Sequence, residues 1–469
     1  MSVLDQLKAI VGRKGWSEDA DEIAPHLIEW RGLYRGQTPL LLKPASTAEV
    51  AAILKICQDN GARIAVQGGN TGVVCGGVPD DGGEEILLTL SRLHAIRAVD
   101  AANFTLTAEA GVTVTALQEA AKAHDRLFPL SLASEGSCTL GGVIATNAGG
   151  VNVLRYGVMR DLVLGIEAVL PTGEIVELLS GLRKDNTGYD VKQLFIGAEG
   201  TLGIVTAATV KLFPAPKVMA TAFVAVPNPQ AALDLLALAR AETGDRLTAF
   251  ELICRAGVEL VIKHIPGARD PLTERAPWYV LLEVTTSNAE EALEPRLEAL
   301  AATAAERGLL GDGTVAQTEA QRQSLWKLRE NMSEAQKIDS ASIKHDISLP
   351  LSAIPDFLTR ASDAVLAAIP GARPMPFGHL GDGNLHFNIS APIGMERRAF
   401  EARWSELNRI VHDIVVDMGG SISAEHGIGR LKKADLAHYK DATALSVMRA
   451  LKRTLDPKNI LNRGRIFDV

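Results

Sequence analysis

The chain has 469 residues, of which 22% are charged and 47% hydrophobic, with 42 Gly, 21 Pro and a net charge of −8. At about 150 residues per domain this is enough for roughly three folded cores, and the composition excludes a disordered or fibrous chain. The acidic balance counts against a nucleic-acid binder.

Apolar runs such as Ala222–Val226 fall far short of the about 18 residues that a membrane span needs, so none is expected. The opening MSVLDQLKAI lacks the basic and apolar regions of a secretory signal. Cys57, Cys75, Cys138 and Cys254 are scattered without a CxxC, which suits a reducing cytoplasm.

Residues 46–60 read as a helix, with Ser46-x-x-Glu49 as a capping box and Gly61 to close it. Ala62–Val66 reads as a strand that empties into Gly68-Gly-Asn-Thr-Gly72. Strands are expected at 85–90, 105–109, 163–170 and 174–178, with a helix near 113–124. Ser131–Gly150 is almost uncharged. Pro214, Pro216, Pro227 and Pro229 mark a boundary. Beyond it, strand-like runs (Thr221–Val226, Tyr279–Thr285, Ile343–Leu349, Leu385–Ser390) alternate with helices at 230–242, 288–307, 318–336, 352–368 and 396–417. This is the pattern of helices layered on a sheet. After about residue 418 the chain turns Gly-rich and ends in short helical pieces.

Three glycine-rich segments, 68–72, 136–150 and 197–205, could bring backbone N–H groups close to a phosphate chain and a planar ligand. Any one of them reads equally as a packed turn; several in one domain are poorly explained that way. Gly311-Asp-Gly313-Thr-Val-Ala316 fits GxGxxA, but it follows a helical run, so no dinucleotide site is expected there. Near the other end stand His379, His386 and Asn388, then Glu425 and His426. Two histidines and a carboxylate with an open position make a catalytic metal set. Asp382 is the rival carboxylate, but it sits in a Gly-Asp-Gly turn, where shaping the turn accounts for it, which favours Glu425. Arg329 and Ser333 lie four apart on the expected 318–336 helix, and Lys344 follows in a strand-like run. Arg and Lys together suit a carboxylate, although each also reads as a solvated surface charge.

These motifs resemble the flavoproteins of the vanillyl-alcohol oxidase/p-cresol methylhydroxylase fold. Within them the chain is similar to the FAD-dependent D-2-hydroxy-acid dehydrogenases, above all the D-2-hydroxyglutarate dehydrogenase group, from about Leu42 to Phe467. The resemblance implies an α+β fold: an FAD-binding domain at 1–213, an antiparallel-sheet substrate (cap) domain covered by helices at 214–417, and a segment at 418–469 that returns to the flavin. It assigns to FAD Pro44, Gln67, Gly68, Gly69, Asn70, Thr71, Gly72, Gly136, Ser137, Thr139, Gly142, Ala145, Asn147, Glu199, Gly203, Ile204, Val205 and Asn462. No histidine stands at 69–71, so noncovalent FAD is expected.

The resemblance further implies a divalent metal at His379, His386 and Glu425, for which zinc suits the ligands and manganese or iron stay open. His426 is implied as catalytic base, Asn388 as a substrate contact, and Arg329, Ser333 and Lys344 as readers of a distal carboxylate. Two departures stand out: Ser333 replaces the usual Thr, and Asn462-Arg-Gly-Arg465 replaces the commoner Asn-Pro-Gly-Lys. The implied reaction oxidises a D-2-hydroxy acid, D-2-hydroxyglutarate (to 2-oxoglutarate) or a similar diacid such as D-malate, by hydride transfer to flavin N5. The acceptor is an electron-transfer flavoprotein or a quinone-linked system, and a homodimer is one option. The alternatives are D-lactate or glycolate oxidation on the same fold, a flavin-free metal hydrolase, and a scaffold whose glycines are structural.

Overall fold

The computed structural model describes residues 1–469. The chain forms two compact units: Met1–Gly150, Gly157–Ala215 and Glu425–Val469 make the first; Val151–Tyr156 and Pro216–Ala424 make the second.

The first unit is built on two sheets. One holds β1 (Trp16–Ser17), β2 (Leu41–Leu42), β3 (Ile64–Gln67) and β4 (Ile86–Thr89) in the order β1-β2-β4-β3, with β2, β4 and β3 parallel. Thr47–Asn60 is the helix between β2 and β3. Ser46 accepts the N–H of Glu49, and Gly61 ends the helix at φ +69°. Val50, Ile53, Leu54 and Cys57 recur at helical spacing, which puts them on one buried face. The second sheet is antiparallel, with β5 (Ile96–Asp100), β6 (Thr105–Glu109), β8 (Val163–Val169), β9 (Ile175–Leu178) and β10 (Ile204–Lys211) in the order β5-β6-β10-β8-β9. A short ribbon pairs β7 (Arg126–Leu127) with β11 (Phe213–Pro214).

The end of the chain is woven into this unit. The N–H of Ile64 donates to the carbonyl of Ile460 at 2.8 Å, and the N–H of Asn462 donates to the carbonyl of Ile64 at 2.9 Å. Arg465 is fully buried, ion-paired to the fully buried Glu85 at 2.5 Å, and donates to the carbonyls of Gly76 and Val78. Arg430 reaches the second oxygen of Glu85 at 3.2 Å.

The second unit centres on one antiparallel sheet of β12 (Val218–Val226), β13 (Leu247–Cys254), β14 (Trp278–Thr286), β15 (Asp312–Val315), β16 (Ser342–Ile343), β17 (Asp346–Ser348), β18 (Arg373–His379) and β19 (Asn384–Ser390). Its order is β15-β12-β14-β13-β18-β19-β16, and β17 also pairs with β19. Side chains alternate between faces. Phe250, Leu252, Leu385 and Phe387 point to one core, shared with the helices Pro229–Thr243, Glu294–Glu306, Ile354–Ala368 and Trp404–Asp417. Ile253, Met375 and Phe377 point the other way, to the helices Arg255–His264, Glu319–Glu330 and Met332–Asp339.

Several expectations need correction. The 318–336 helix is two helices broken at Asn331, whose side chain donates to the carbonyl of Lys327 at 2.8 Å and so competes with the helical ladder. The 396–417 helix breaks at Ala402 and Arg403. Strands β13 and β18 were not expected. Pro374 and Pro376 argue against a central strand, but β18 meets β13 only at Phe377–His379, so neither proline sits where that ladder needs an N–H. Asp312–Val315 of the GxGxxA segment is an edge strand, with Gly313 packed on Val224. Val151–Tyr156 belongs with the second unit, where Arg155 donates to the Thr285 hydroxyl at 2.7 Å.

Breaking one side of a buried ion pair strands the other charge, at a cost of about 3–5 kcal/mol. Arg465→Met leaves Glu85 with Arg430 alone and should lower the stability of the first unit by the lower end of that range, about 3 kcal/mol, read as a fall in the urea midpoint. An unchanged midpoint would show that the Glu85 pair does not hold this region.

Candidate active site

The first unit encloses a cavity of about 660 Å³, within the usual range for small-molecule and cofactor sites. All the residues expected to hold FAD line it except Pro44, Gly136 and Asn147. Asn147 instead accepts the N–H of Arg160 at 2.9 Å, and Gly136 has no neighbour within 4 Å of the position a Cβ would take. Two of the glycine segments are pressed together. A Cβ on Gly69 would lie 2.0 Å from the carbonyl oxygen of Ser137, and one on Gly68 would lie 2.8 Å from the Thr139 hydroxyl. Asn70 sits at φ +53°, a left-handed conformation that asparagine tolerates. This cleft, with glycines from several segments in its wall, fits a cofactor with a phosphate chain.

Some lining residues also act as framework. The Gln67 carboxamide bonds His26 at 2.5 Å and donates to the carbonyls of His26 and Gly77. Asn462 donates to the carbonyl of Glu199 at 2.7 Å and accepts the N–H of Val66 at 2.8 Å. Glu199 accepts the N–H groups of Ile428 and Gly429 at 2.7 and 2.8 Å. Burial pushes the pKa of Glu199 up, against the pull of those two donors. The segment it grips carries Glu425 and His426, which both line the cavity and approach each other to 3.8 Å.

In the second unit, register decides what meets. Glu251 of β13 lies opposite His379 of β18, Phe377 opposite His386, Met375 opposite Asn388, and Asp346 of β17 opposite His386. Paired residues share a face, so Glu251, Asp346, His379, His386 and Asn388 all stand on the same side of the sheet. The rings of His379 and His386 are 5.7 Å apart. His379 Nδ1 is 2.6 Å from Glu251 Oε1, and Arg329 Nε donates to Glu251 Oε2 at 2.6 Å. Burial would raise the Glu251 pKa, but the Arg329 charge and the hydrogen bonds from His379 and Arg329 outweigh it and hold the carboxyl below its usual range. A carboxylate only accepts, so Nδ1 carries the proton and Nε2 keeps its lone pair, as a metal-binding histidine requires. Arg329 Nη2 lies 3.5 Å from that Nε2, and its guanidinium rests 4.9 Å from the Phe377 ring.

The helix break separates Arg329 from Ser333. Lys344 comes to Ser333 instead, with its ammonium 3.4 Å from the Ser333 carbonyl oxygen. Asn388 donates to Gln336 at 2.7 Å. Asp382 Oδ1 accepts the N–H of Asn384 at 3.0 Å, a contact that shapes its turn. Sequence reasoning missed Glu251, Asp346 and Gln336. A lone acid inside the apolar run Thr248–Cys254 was the available signal for Glu251.

Residues 215–466 match the family model for FAD linked oxidases, C-terminal domain, and residues 38–179 match an FAD binding domain. The D-2-hydroxyglutarate dehydrogenase of Bos taurus is 39% identical, covering 95% of this chain and 79% of the relative. That of Arabidopsis thaliana is 36% identical, covering 98% and 80%. A D-2-hydroxyglutarate–pyruvate transhydrogenase of Saccharomyces cerevisiae is 36% identical, covering 95% and 90%. Among solved structures, p-cresol methylhydroxylase with substrate bound aligns at a TM-score of 0.76 and 16% identity over 99% of this chain and 96% of the other, a likeness of fold alone.

The glycine contacts separate two variants. Gly69→Ala drives a methyl into backbone and should lose bound flavin, whereas Gly136→Ala has open space and should keep it. The check is flavin absorbance of the purified proteins, with FAD released to the supernatant on heat or acid. Flavin that stays with the precipitate would contradict noncovalent binding.

Proposed function

The chain belongs to the FAD-linked oxidases, in the D-2-hydroxyglutarate dehydrogenase group, and from that premise we propose that it oxidises D-2-hydroxyglutarate, or a similar diacid such as D-malate, to the 2-oxo acid. The diacid reading rests chiefly on Lys344, half-buried in the second unit beside the Ser333 carbonyl. A substrate's second carboxylate is costly to bury without a cation of its own, and a lactate-sized substrate has no use for one.

When bound, FAD supplies the hydride acceptor for the substrate Cα–H, and a divalent metal, with His379, His386 and Glu425 as proposed ligands, supplies Lewis acidity at the 2-hydroxyl. His426 takes the hydroxyl proton, a task suited to an imidazole near neutral pH. Loss of that proton and of a hydride from Cα balances the conversion to a 2-oxo acid. Glu199 fixes the backbone just beyond His426, so the base is carried on a restrained segment. Asn388, braced by Gln336, orients substrate, and Arg329 and Lys344 supply positive charge. Electrons leave to an electron-transfer flavoprotein or a quinone-linked acceptor. The four cysteines are free and buried, in keeping with a reducing compartment such as the cytoplasm.

A panel of D-2-hydroxy acids with an artificial electron acceptor, run with and without chelator, tests this reading. D-2-hydroxyglutarate should be turned over best, and chelation should stop turnover while the protein stays yellow. Preference for D-lactate would overturn the diacid assignment, and full activity of metal-free protein would overturn the metal. Lys344→Met should cut kcat/KM for D-2-hydroxyglutarate by about 10², the scale of a lost buried charge partner, and leave D-lactate turnover nearly unchanged. Equal losses on both substrates in a folded, yellow variant would show that Lys344 does not read the distal carboxylate.

A further inference from the structure

Glu251 stands on the same sheet face as His379, 1% exposed, with each oxygen committed to a different partner. One oxygen accepts from His379 Nδ1 and the other from Arg329 Nε, both at 2.6 Å. An isolated buried carboxylate is among the costliest groups a core can hold. Here the placement serves two groups at once. The β13–β18 register sets Glu251 directly opposite His379, and the helix Glu319–Glu330 lays Arg329 across the same face, where Phe377 backs the guanidinium. The bond at Nδ1 places the ring's lone pair on Nε2 and fixes the ring plane. The bond at Arg329 Nε stops that side chain from swinging, with its Nη2 already 3.5 Å from His379 Nε2.

We propose that Glu251 is a positioning residue that orients His379 for metal binding and, through its other oxygen, fixes Arg329 beside it, so that a metal ligand and an anion-binding cation are set by a single carboxylate. This rests on the metal reading given above for His379. Metal ligands whose outer partner is removed typically lose about 10–100-fold in metal affinity. Glutamine at this position keeps the shape but has one neutral acceptor for two donors, so one of His379 and Arg329 faces an N–H and the other loses the negative charge that held it, which weakens both contacts.

The test uses full-length, flavin-loaded protein stripped with chelator and titrated with Zn²⁺ in a calorimeter. Flavin absorbance reports the first unit, which alone lines the cavity that would hold the flavin, and the thermal unfolding transition of the whole chain reports the second, which carries Glu251. Glu251→Gln should stay yellow and bind Zn²⁺ at least about tenfold more weakly than wild type. Its KM for D-2-hydroxyglutarate at saturating Zn²⁺ should rise, because Arg329 is released. Wild-type Zn²⁺ affinity in a yellow Glu251→Gln protein would overturn the proposal. If that variant does not fold, Glu251→Asp keeps the charge but is one methylene too short to reach both partners. It should show the same weakening, and unchanged affinity there would equally overturn the proposal. Failure of the wild-type protein to bind Zn²⁺ would instead remove the metal reading, and this inference with it. A Zn²⁺ defect in Glu251→Gln with no change in KM would leave His379 as its only client and refute the Arg329 half.

Discussion

The first unit depends on how a chain end is held against a loop that lies more than two hundred residues earlier in sequence. Glu199 does this with both carboxylate oxygens, which accept the consecutive N–H groups of Ile428 and Gly429. Backbone amides in a loop have no ladder of their own, so a single acid that satisfies two of them fixes the path of the segment. Gly427 must be glycine beside it: φ is +79°, and a Cβ would lie 2.7 Å from Glu199 Oε1. Asn462 bonds the Glu199 carbonyl and the Val66 N–H, which joins this clamp to the strand that feeds the first glycine loop. The wall of the cavity is thus made by hydrogen bonds between three distant stretches of sequence.

The second unit solves a different problem. Its sheet has an apolar core on both faces, yet Glu251, Asp346, His379 and Asn388 are buried on one of them. Each polar group is matched to another across a strand or from a helix: Glu251 to His379 and Arg329, Asn388 to Gln336, Asp346 to Asn384. Satisfied networks of this kind tolerate burial where isolated groups do not. They also fix side-chain geometry more tightly than apolar packing does. Here the chemistry-bearing residues sit on strands, which are stiffer supports than loops.

What the sequence made legible follows from the range of the forces involved. Helix Thr47–Asn60 and strand β3 announce themselves locally, through a cap and a short apolar run before a glycine loop. The glycine segments were readable as backbone devices, and the structure adds that Gly68 and Gly69 yield to the Ser137–Thr139 stretch. Long-range pairing was not readable. Nothing near Glu251 in sequence points to His379, 128 residues away, because only the β13–β18 register brings them together. Strand β18 hides behind its prolines, and the Asn331 break looks like continuous helix in any scan of apolar spacing. The expectation that Arg329 and Ser333 share one helical face failed for that reason, while Lys344 and Ser333, on different elements, do meet.

The discontinuity of the first unit sets an order of events during synthesis. Residues 1–215 leave the ribosome long before residues 425–469, and the whole of Pro216–Ala424 is made in between. Until residues 425–469 emerge, β3 lacks its Ile460–Asn462 neighbour, Glu85 lacks Arg465, and Glu199 has no amides to accept. The nascent N-terminal portion therefore carries a buried-acid position with no cation and a cleft with one wall missing. A ligand that needs the closed cleft can be captured only once residues 425–469 have emerged, whereas the second unit, apart from its short Val151–Tyr156 tether, has all its strands in hand by residue 390.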